Sequence, residues 1–295
     1  ITGYRFEKTV IRTKVRGIYS EVNEIFKGTA TQDLLDKYKP VMKGLMTARE
    51  MASITKERSR RNGTMELESN EPKFILNEDG ICIDVQPRQT GESEQMIEQL
   101  MVTANQAAAK LAEKEHLPFV YRVHENPKSL KIETLIELVS SLGLDFSGIK
   151  KENPSTAEFA AILDQAVGTP AQKIVSYQIL RTMEKARYAT DPLGHFGLAL
   201  ADYCHYTSPI RRYPDTAIHR ILTAFVNKKG RNYINEHYAT YAQDSATNSS
   251  EAEVKALVAE RSAEDCYMAE YMTQHIGEQF DGIISGVTNR GLFVQ

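Results

Sequence analysis

His205-Tyr206-Thr207-Ser208-Pro209-Ile210-Arg211-Arg212-Tyr213-Pro214-Asp215-Thr216-Ala217-Ile218-His219-Arg220 is the stretch on which the reading of this chain turns. Thr207, Ser208 and Pro209 suit a tight turn. Pro214 suits the first turn of a helix, where its missing N–H costs nothing. Ile218, Ile221, Leu222 and Phe225 then recur at helical spacing, so one face of that helix goes to a core. Arg211 and Arg212 are thereby held beside a helix start, and forked guanidiniums in such a setting suit phosphate oxygens. Taken alone, an Arg-Arg pair is more simply a solvated or salt-bridged turn.

With His195-Phe196-Gly197-Leu198-Ala199-Leu200 just before it, the stretch resembles the signature of the ribonuclease II/ribonuclease R family, closer to its ribonuclease R branch. The resemblance runs from about Gly3 to the last residue. It implies an α+β fold: an RNB-type catalytic domain of mixed sheet and long helices over residues 1–278, lacking its N-terminal metal-binding segment. Residues 279–295 would be the first strands of an OB-fold RNA-binding domain. The implied activity is processive, hydrolytic 3′→5′ degradation of single-stranded RNA to nucleoside 5′-monophosphates, with Mg²⁺ as cofactor.

Composition sets wide bounds. The 295 residues allow one large domain or two ordinary ones. Hydrophobic content of 41% and charged content of 25% are ordinary for a water-soluble globular chain. No apolar run is long enough to span a bilayer and no secretory signal is visible, so no membrane partner and a cytoplasmic setting are expected. A net charge of −3 argues against a protein that coats nucleic acid, though not against a narrow basic channel. Cys82, Cys204 and Cys266 show neither disulfide nor zinc spacing and read as buried or inert thiols. The chain starts with Ile1 and stops within a strand pattern, which suggests a piece of something longer.

Along the chain, residues 4–17 are strand-like and Tyr19 opens a helical pattern. One long helix is expected from Gln32 to Arg58. Met65–Leu76 and Gly80–Val85 read as paired strands joined by Asn77-Glu78-Asp79-Gly80. Helices follow at 92–114, at 128–142, at 155–166 with a Ser155-Thr156 cap, and at 172–189. Residues 117–124 read as a strand. After a polar break at 227–233, a further long helix is expected at 251–275, and alternating strands begin at Phe280. No internal repeat or low-complexity segment is present.

The remaining site candidates lean on the resemblance. On the 92–114 helix, Ile97, Leu100, Met101, Ala104 and Ala108 form an apolar face, with Glu98 and Asn105 at its rim. A carboxylate there could accept from ribose hydroxyls at an RNA 3′ end, and Glu98 matches a family glutamate at that place; a structural hydrogen bond is the plainer reading. Tyr19 matches a family tyrosine near the last nucleotides, where an aromatic face stacks on bases; it also reads as an ordinary helix-end tyrosine. A second family aromatic has only Leu67 as its nearest match. Glu260 matches a family glutamate near the cleft. Asp215 and His219 stand i,i+4 and could pair, as could Arg261 and Asp265 in a buried ion pair.

The resemblance gives Arg211 the scissile phosphate and Arg212 a neighbouring one, with Tyr19 and Glu98 at the terminal nucleotide. Family enzymes hold metal with clustered aspartates. This sequence has no Asp-Asp pair and no tight aspartate cluster, so no metal ligands are assigned to it and the chain alone is expected to be inactive. A non-catalytic RNA-binding or scaffold module is the alternative.

Overall fold

A computed structural model describes residues 3–65, 71–282, 284–288 and 291–294. The chain first winds three short-range helices, α1 (Tyr19–Lys27), α2 (Gln32–Tyr38) and α3 (Met42–Arg61). The single helix expected over 32–58 is thus two. Pro40 has no N–H and its ring crowds the preceding turn, so the helix stops and Val41 N–H closes a turn onto the Tyr38 carbonyl at 2.9 Å. Gly28 ends α1 with φ 73°, a left-handed cap that glycine adopts without strain. Residues 4–17 form no strand. They find no strand partner among the described residues, and Val10 and Ile11 stand fully exposed. Phe6 is anchored edge-on to Tyr206 with centroids 5.5 Å apart, and Val15 packs on the core of the first helices.

β1 (Pro72–Leu76) and β2 (Cys82–Pro87) form the expected hairpin. Residues 66–70, including Leu67, lie outside the described residues. α4 (Glu92–Glu115) follows, 24 residues long, with Glu92 and Glu94 at its N-terminus and Lys114 at its C-terminus, as the helix dipole favours. Its first half packs on α1 and α3 through Met96, Ile97 and Leu100. Its second half presents Ala108, Ala109 and Ala112, all fully buried in the core cluster that also takes Tyr121, Val123, Ala217 and Ile221.

β3 (Tyr121–Val123) leads to α5 (Ser129–Ser141), α6 (Thr156–Ala166) and α7 (Gln172–Thr182). These three helices close a second core around Leu135, Phe159, Ile162 and Ile179. Ser155 occupies the N-cap of α6, but its hydroxyl makes no capping bond. The helix expected over 172–189 ends at Thr182. Residues 187–189 instead become β4 (Arg187–Ala189), antiparallel to β3, because pairing buries Tyr188 and Ala189.

α8 (Tyr213–Val226) is the signature helix, with proline in its first turn. α9 (Arg231–Met272) runs 42 residues and starts twenty residues earlier than expected. Ile234, Ala242 and Ala246 bury its first half against α8 and β4. Past the Glu253–Arg122 ion pair at 2.6 Å, its outer half meets the β1–β2 hairpin: Tyr267 packs on Phe74 at 5.5 Å, and Cys82 N–H donates to Glu270 at 2.9 Å. Arg261 and Asp265 were expected as a buried pair, yet both are exposed and unpaired among the described residues, because the core ends before α9 does. Cys266 is likewise exposed, while Cys82 and Cys204 are buried. β5 (Ile284–Thr288) and β6 (Gly291–Val294) pair antiparallel at the end of the chain.

Candidate nucleic-acid site

The signature segment is moored from two sides. On one, Asn105 of α4 reaches across: its Oδ1 accepts from the N–H groups of Tyr206 (2.9 Å) and Thr207 (3.2 Å), and its Nδ2 donates to the Tyr203 hydroxyl (3.1 Å). The Cys204 thiol donates to the Asn105 carbonyl at 3.1 Å. Asn105 is only 2% exposed, so it is no rim residue. A buried amide that satisfies three polar groups fixes a loop far more firmly than apolar packing does.

On the other side, Asp215 in the first turn of α8 is fully buried. Its Oδ1 accepts from Ser208 N–H at 2.7 Å, and its two oxygens take a forked pair of bonds from Arg212, at 2.9 Å from Nε and 2.7 Å from Nη2. The N–H groups of Arg211 and Arg212 close the turn onto the Ser208 carbonyl, at 3.3 and 3.1 Å. Thr216 Oγ1 donates to the Pro209 carbonyl at 2.8 Å. His219 does not pair with Asp215, which Arg212 already occupies; it stacks on Tyr206 at 4.4 Å and bonds the Tyr206 carbonyl through Nε2.

The two arginines therefore differ. Arg212 is largely covered and tied down. The Arg211 side chain is exposed and makes no hydrogen bond or ion pair among the described residues. Its fork is presented to solvent from a turn whose backbone is fully braced.

Behind the turn stands a ladder of rings. His124, His195, Tyr203, His205 and Tyr188 meet edge-to-face in succession, with centroids 5.1 to 5.8 Å apart. His205 Nδ1 lies 2.9 Å from the Tyr188 hydroxyl. Burial, then the charges of Arg212 and Arg122, push the His205 ring down to about 2. Burial, then His124 and Arg122, take His195 to about 3. Both rings are neutral at ordinary pH. Burial chiefly lifts the Tyr188 phenol to about 12, and the Arg122 guanidinium lies 4.7 Å over its ring while paired with Glu253 at 2.6 Å.

Tyr19 is half-exposed at the start of α1, its carbonyl taking a bond from Ser93 Oγ at 3.0 Å. It lines a largely apolar cleft of about 880 Å³ with Gly17, Ile18, Val41, Met96 and Ile97. Glu98 follows Ile97 on α4 and is exposed, without a hydrogen bond among the described residues. Its charge, like that of Arg212, is felt by the Tyr203 phenol, whose pKa is raised mainly by burial. Neither Glu98 nor Arg211 lines the cleft that holds Tyr19. Glu260 is exposed on the outer half of α9, and no described contact joins it to the turn.

Among the described residues no group of three or more His, Cys, Asp or Glu side chains could hold a metal ion. The carboxylate of Asp215 is spent on Arg212. A hard divalent cation needs several anionic or carbonyl oxygens, so these residues do not fit one.

The family profile described as RNB domain matches residues 1–228. Ribonuclease R 1 of Lactococcus lactis is 33% identical over the whole chain, and the chain spans 36% of it. Ribonuclease R of Thermotoga maritima is 33% identical, with 41% of its length covered. The apo form of Mycoplasma genitalium RNase R superposes with a TM-score of 0.87 at 28% identity, covering 94% of this chain and 43% of that one. The same enzyme in complex with double-stranded RNA gives 0.85 at 27% identity, over 94% of this chain and 50% of that one. The chain belongs to the RNB domain family, a family consistent with a divalent metal cofactor, and has its α+β fold. It spans well under half the length of the curated relatives named here.

Proposed function

We propose that this chain is part of a 3′→5′ exoribonuclease that hydrolyses single-stranded RNA to nucleoside 5′-monophosphates. The observation that carries the reading is Arg211: an unpaired, exposed guanidinium on a turn locked by Asn105 and Asp215, in a chain of the RNB family. Arg211 grips the scissile phosphate and strengthens its bonds as charge develops there. Arg212 is held by Asp215 and keeps both Nη1 hydrogens and one Nη2 hydrogen for a neighbouring phosphate. Glu98 accepts from the hydroxyls of the terminal ribose, Tyr19 offers a ring face to the last bases, and Glu260 belongs to the cleft of the longer protein. The same longer protein supplies the Mg²⁺ ligands, and no step is assigned to the metal here.

Residues 1–278 then form part of the RNB catalytic domain and 279–295 the opening strands of an OB fold. Free, buried Cys82 and Cys204 suit a cytoplasmic, reducing compartment. No helix among the described residues is long and apolar enough to cross a membrane.

The lack of a metal-holding cluster among the described residues favours a second reading, an RNA-binding or scaffold module without catalysis. A 5′-labelled single-stranded RNA incubated with Mg²⁺ separates the two. The longer protein should shorten it stepwise from the 3′ end, while the 295-residue chain binds without cutting. A longer protein that binds but never cuts leaves only the module; robust monophosphate release by the chain alone overturns the placement of the metal ligands outside it.

A further inference from the structure

His219 and Arg220 close the signature stretch, yet Arg220 takes no part in bracing the arginine turn. Both border a pocket of about 360 Å³ on α8, with Thr223, Asn227, Lys229 and Tyr233 also in its wall. Neither Arg211 nor Arg212 lines it, and among the described residues no Asp or Glu does. The pocket is therefore separate from the turn and carries two cations, Arg220 and Lys229, with no acid to answer them.

Both cations are held in place. Arg220 Nη1 donates to the Tyr241 hydroxyl at 3.0 Å, which leaves four guanidinium hydrogens unused. The Lys229 ammonium lies 5.2 Å from the centroid of the Tyr233 ring, and that ring is stacked on His237 at 3.9 Å. Lys229 N–H closes onto the Ala224 carbonyl at 3.1 Å, with Lys228 left-handed at φ 58°. Glycine adopts that conformation freely and lysine only against strain, so the turn that places Lys229 is kept at a local cost. Neither cation meets a carboxylate among the described residues, and the Thr223 and Asn227 side chains make no hydrogen bond there. α8 ends at the pocket and α9 begins there. The carbonyls of one and the N–H groups of the other offset each other, and the side chains set the sign.

A wall rich in donors and doubly cationic suits a ligand that only accepts and is doubly anionic. A phosphomonoester is that ligand, with three accepting oxygens and a charge of about −1.5 to −2 at pH 7. A carboxylate brings a single charge. A bare phosphate would leave much of the cavity unfilled, since about 300 Å³ is already room for a small organic ligand. We propose that this pocket binds a phosphomonoester of mononucleotide size, a nucleoside 5′-monophosphate, with Arg220 and Lys229 on the phosphate. The choice of a nucleoside rests on the proposed function, whose reaction releases that class of product; the phosphate contacts stand without it.

Titration of the 295-residue chain with adenosine 5′-monophosphate, followed by ³¹P NMR, tests it. The chain carries Arg211→Ala, so that the arginine turn cannot hold the ligand. A dissociation constant on the order of 1 mM is expected, the level that two charged contacts in an open pocket support. Arg220→Gln and Lys229→Gln, added singly, should each weaken binding roughly ten-fold, and adenosine should not compete. Both positions are exposed, and far-UV circular dichroism checks that each variant keeps its helices. No binding up to about 10 mM, binding indifferent to both substitutions, or equal competition by adenosine overturns the proposal. So does a 5′-phosphorylated hexanucleotide that takes this pocket more tightly than the mononucleotide, which would make it a site for an RNA end. Cleavage is not read in this titration, so failure of the exonuclease reading and failure of this site show separately.

Discussion

Asp215 holds the Arg212 guanidinium in a fork, at 2.7 and 2.9 Å, from a fully buried position. Two adjacent arginines thereby acquire different work. One is a counter-ion that fixes the turn, and the other is left exposed and without a partner among the described residues.

Arg212→Ala leaves a buried carboxylate without its partner. Breaking such a pair from one side costs about 3–5 kcal/mol. Urea unfolding of this chain should therefore show a large loss for Arg212→Ala and a change within about 0.5 kcal/mol for exposed Arg211→Ala. Equal losses in the two variants would contradict the division.

Arg211→Ala in the longer, active protein should lower the single-turnover cleavage rate roughly 10²–10³-fold, the usual loss for a donor aimed at developing charge. RNA affinity should change far less. A variant that binds poorly but cuts bound RNA at the normal rate would make Arg211 a mere binding residue.

Asn105→Leu removes the acceptor shared by Tyr206 and Thr207 N–H. Leaving a buried donor unmade costs about 1–3 kcal/mol. Stability should fall by at least that amount, and hydrogen exchange should accelerate at those two amides before it does elsewhere in the core. Asn105→Asp keeps the acceptor oxygen and should retain most of their protection.

His195 and His205 make stability fall with acid. Folded, their rings titrate at about 3 and about 2, held down chiefly by burial; unfolded, at about 6.5. The unfolded chain thus binds more protons below pH 6.5, so stability is complete above that pH and is lost as the pH falls toward about 3. Each ring contributes about 1.4 kcal/mol per pH unit in that window, or about 2 kcal/mol by pH 5. The urea midpoint should drop between pH 7 and 5, and His205→Gln should make the drop shallower. A flat profile over that range would mean that the rings are hydrated.

The turn, the proline-opened α8 and the long α4 were legible because each depends on local chemistry: a Ser-Pro turn, a first-turn proline, a 3.6-residue apolar period. What stayed hidden depends on partners. Arg187–Ala189 looks helical alone and becomes a strand because β3 lies beside it. Asn105 looks like a rim residue by spacing alone. A polar side chain between Ala104 and Ala108 on an apolar face was the available sign that it serves a buried loop. Arg261 and Asp265 looked buried because they share an apolar stripe with Val254, Val258, Met268 and Met272, but that stripe faces away from the hairpin held by Tyr267 and Glu270. Glu98 and Arg211 came from the family resemblance, and neither lines the cleft that holds Tyr19.

Asn105 and Glu98 share one helix. Seven residues of α4 separate the amide that moors the arginine turn from the exposed carboxylate, a gauge length of about 10.5 Å at 1.5 Å per residue. Because the helix is stiff and Asn105 is its fixed jaw, the distance between the two ends of the site is set by backbone geometry rather than by loop tension. Lengthening α4 by one residue between them would slide Glu98 by about 1.5 Å and swing it by about 100°, so the gauge can be reset only by whole turns.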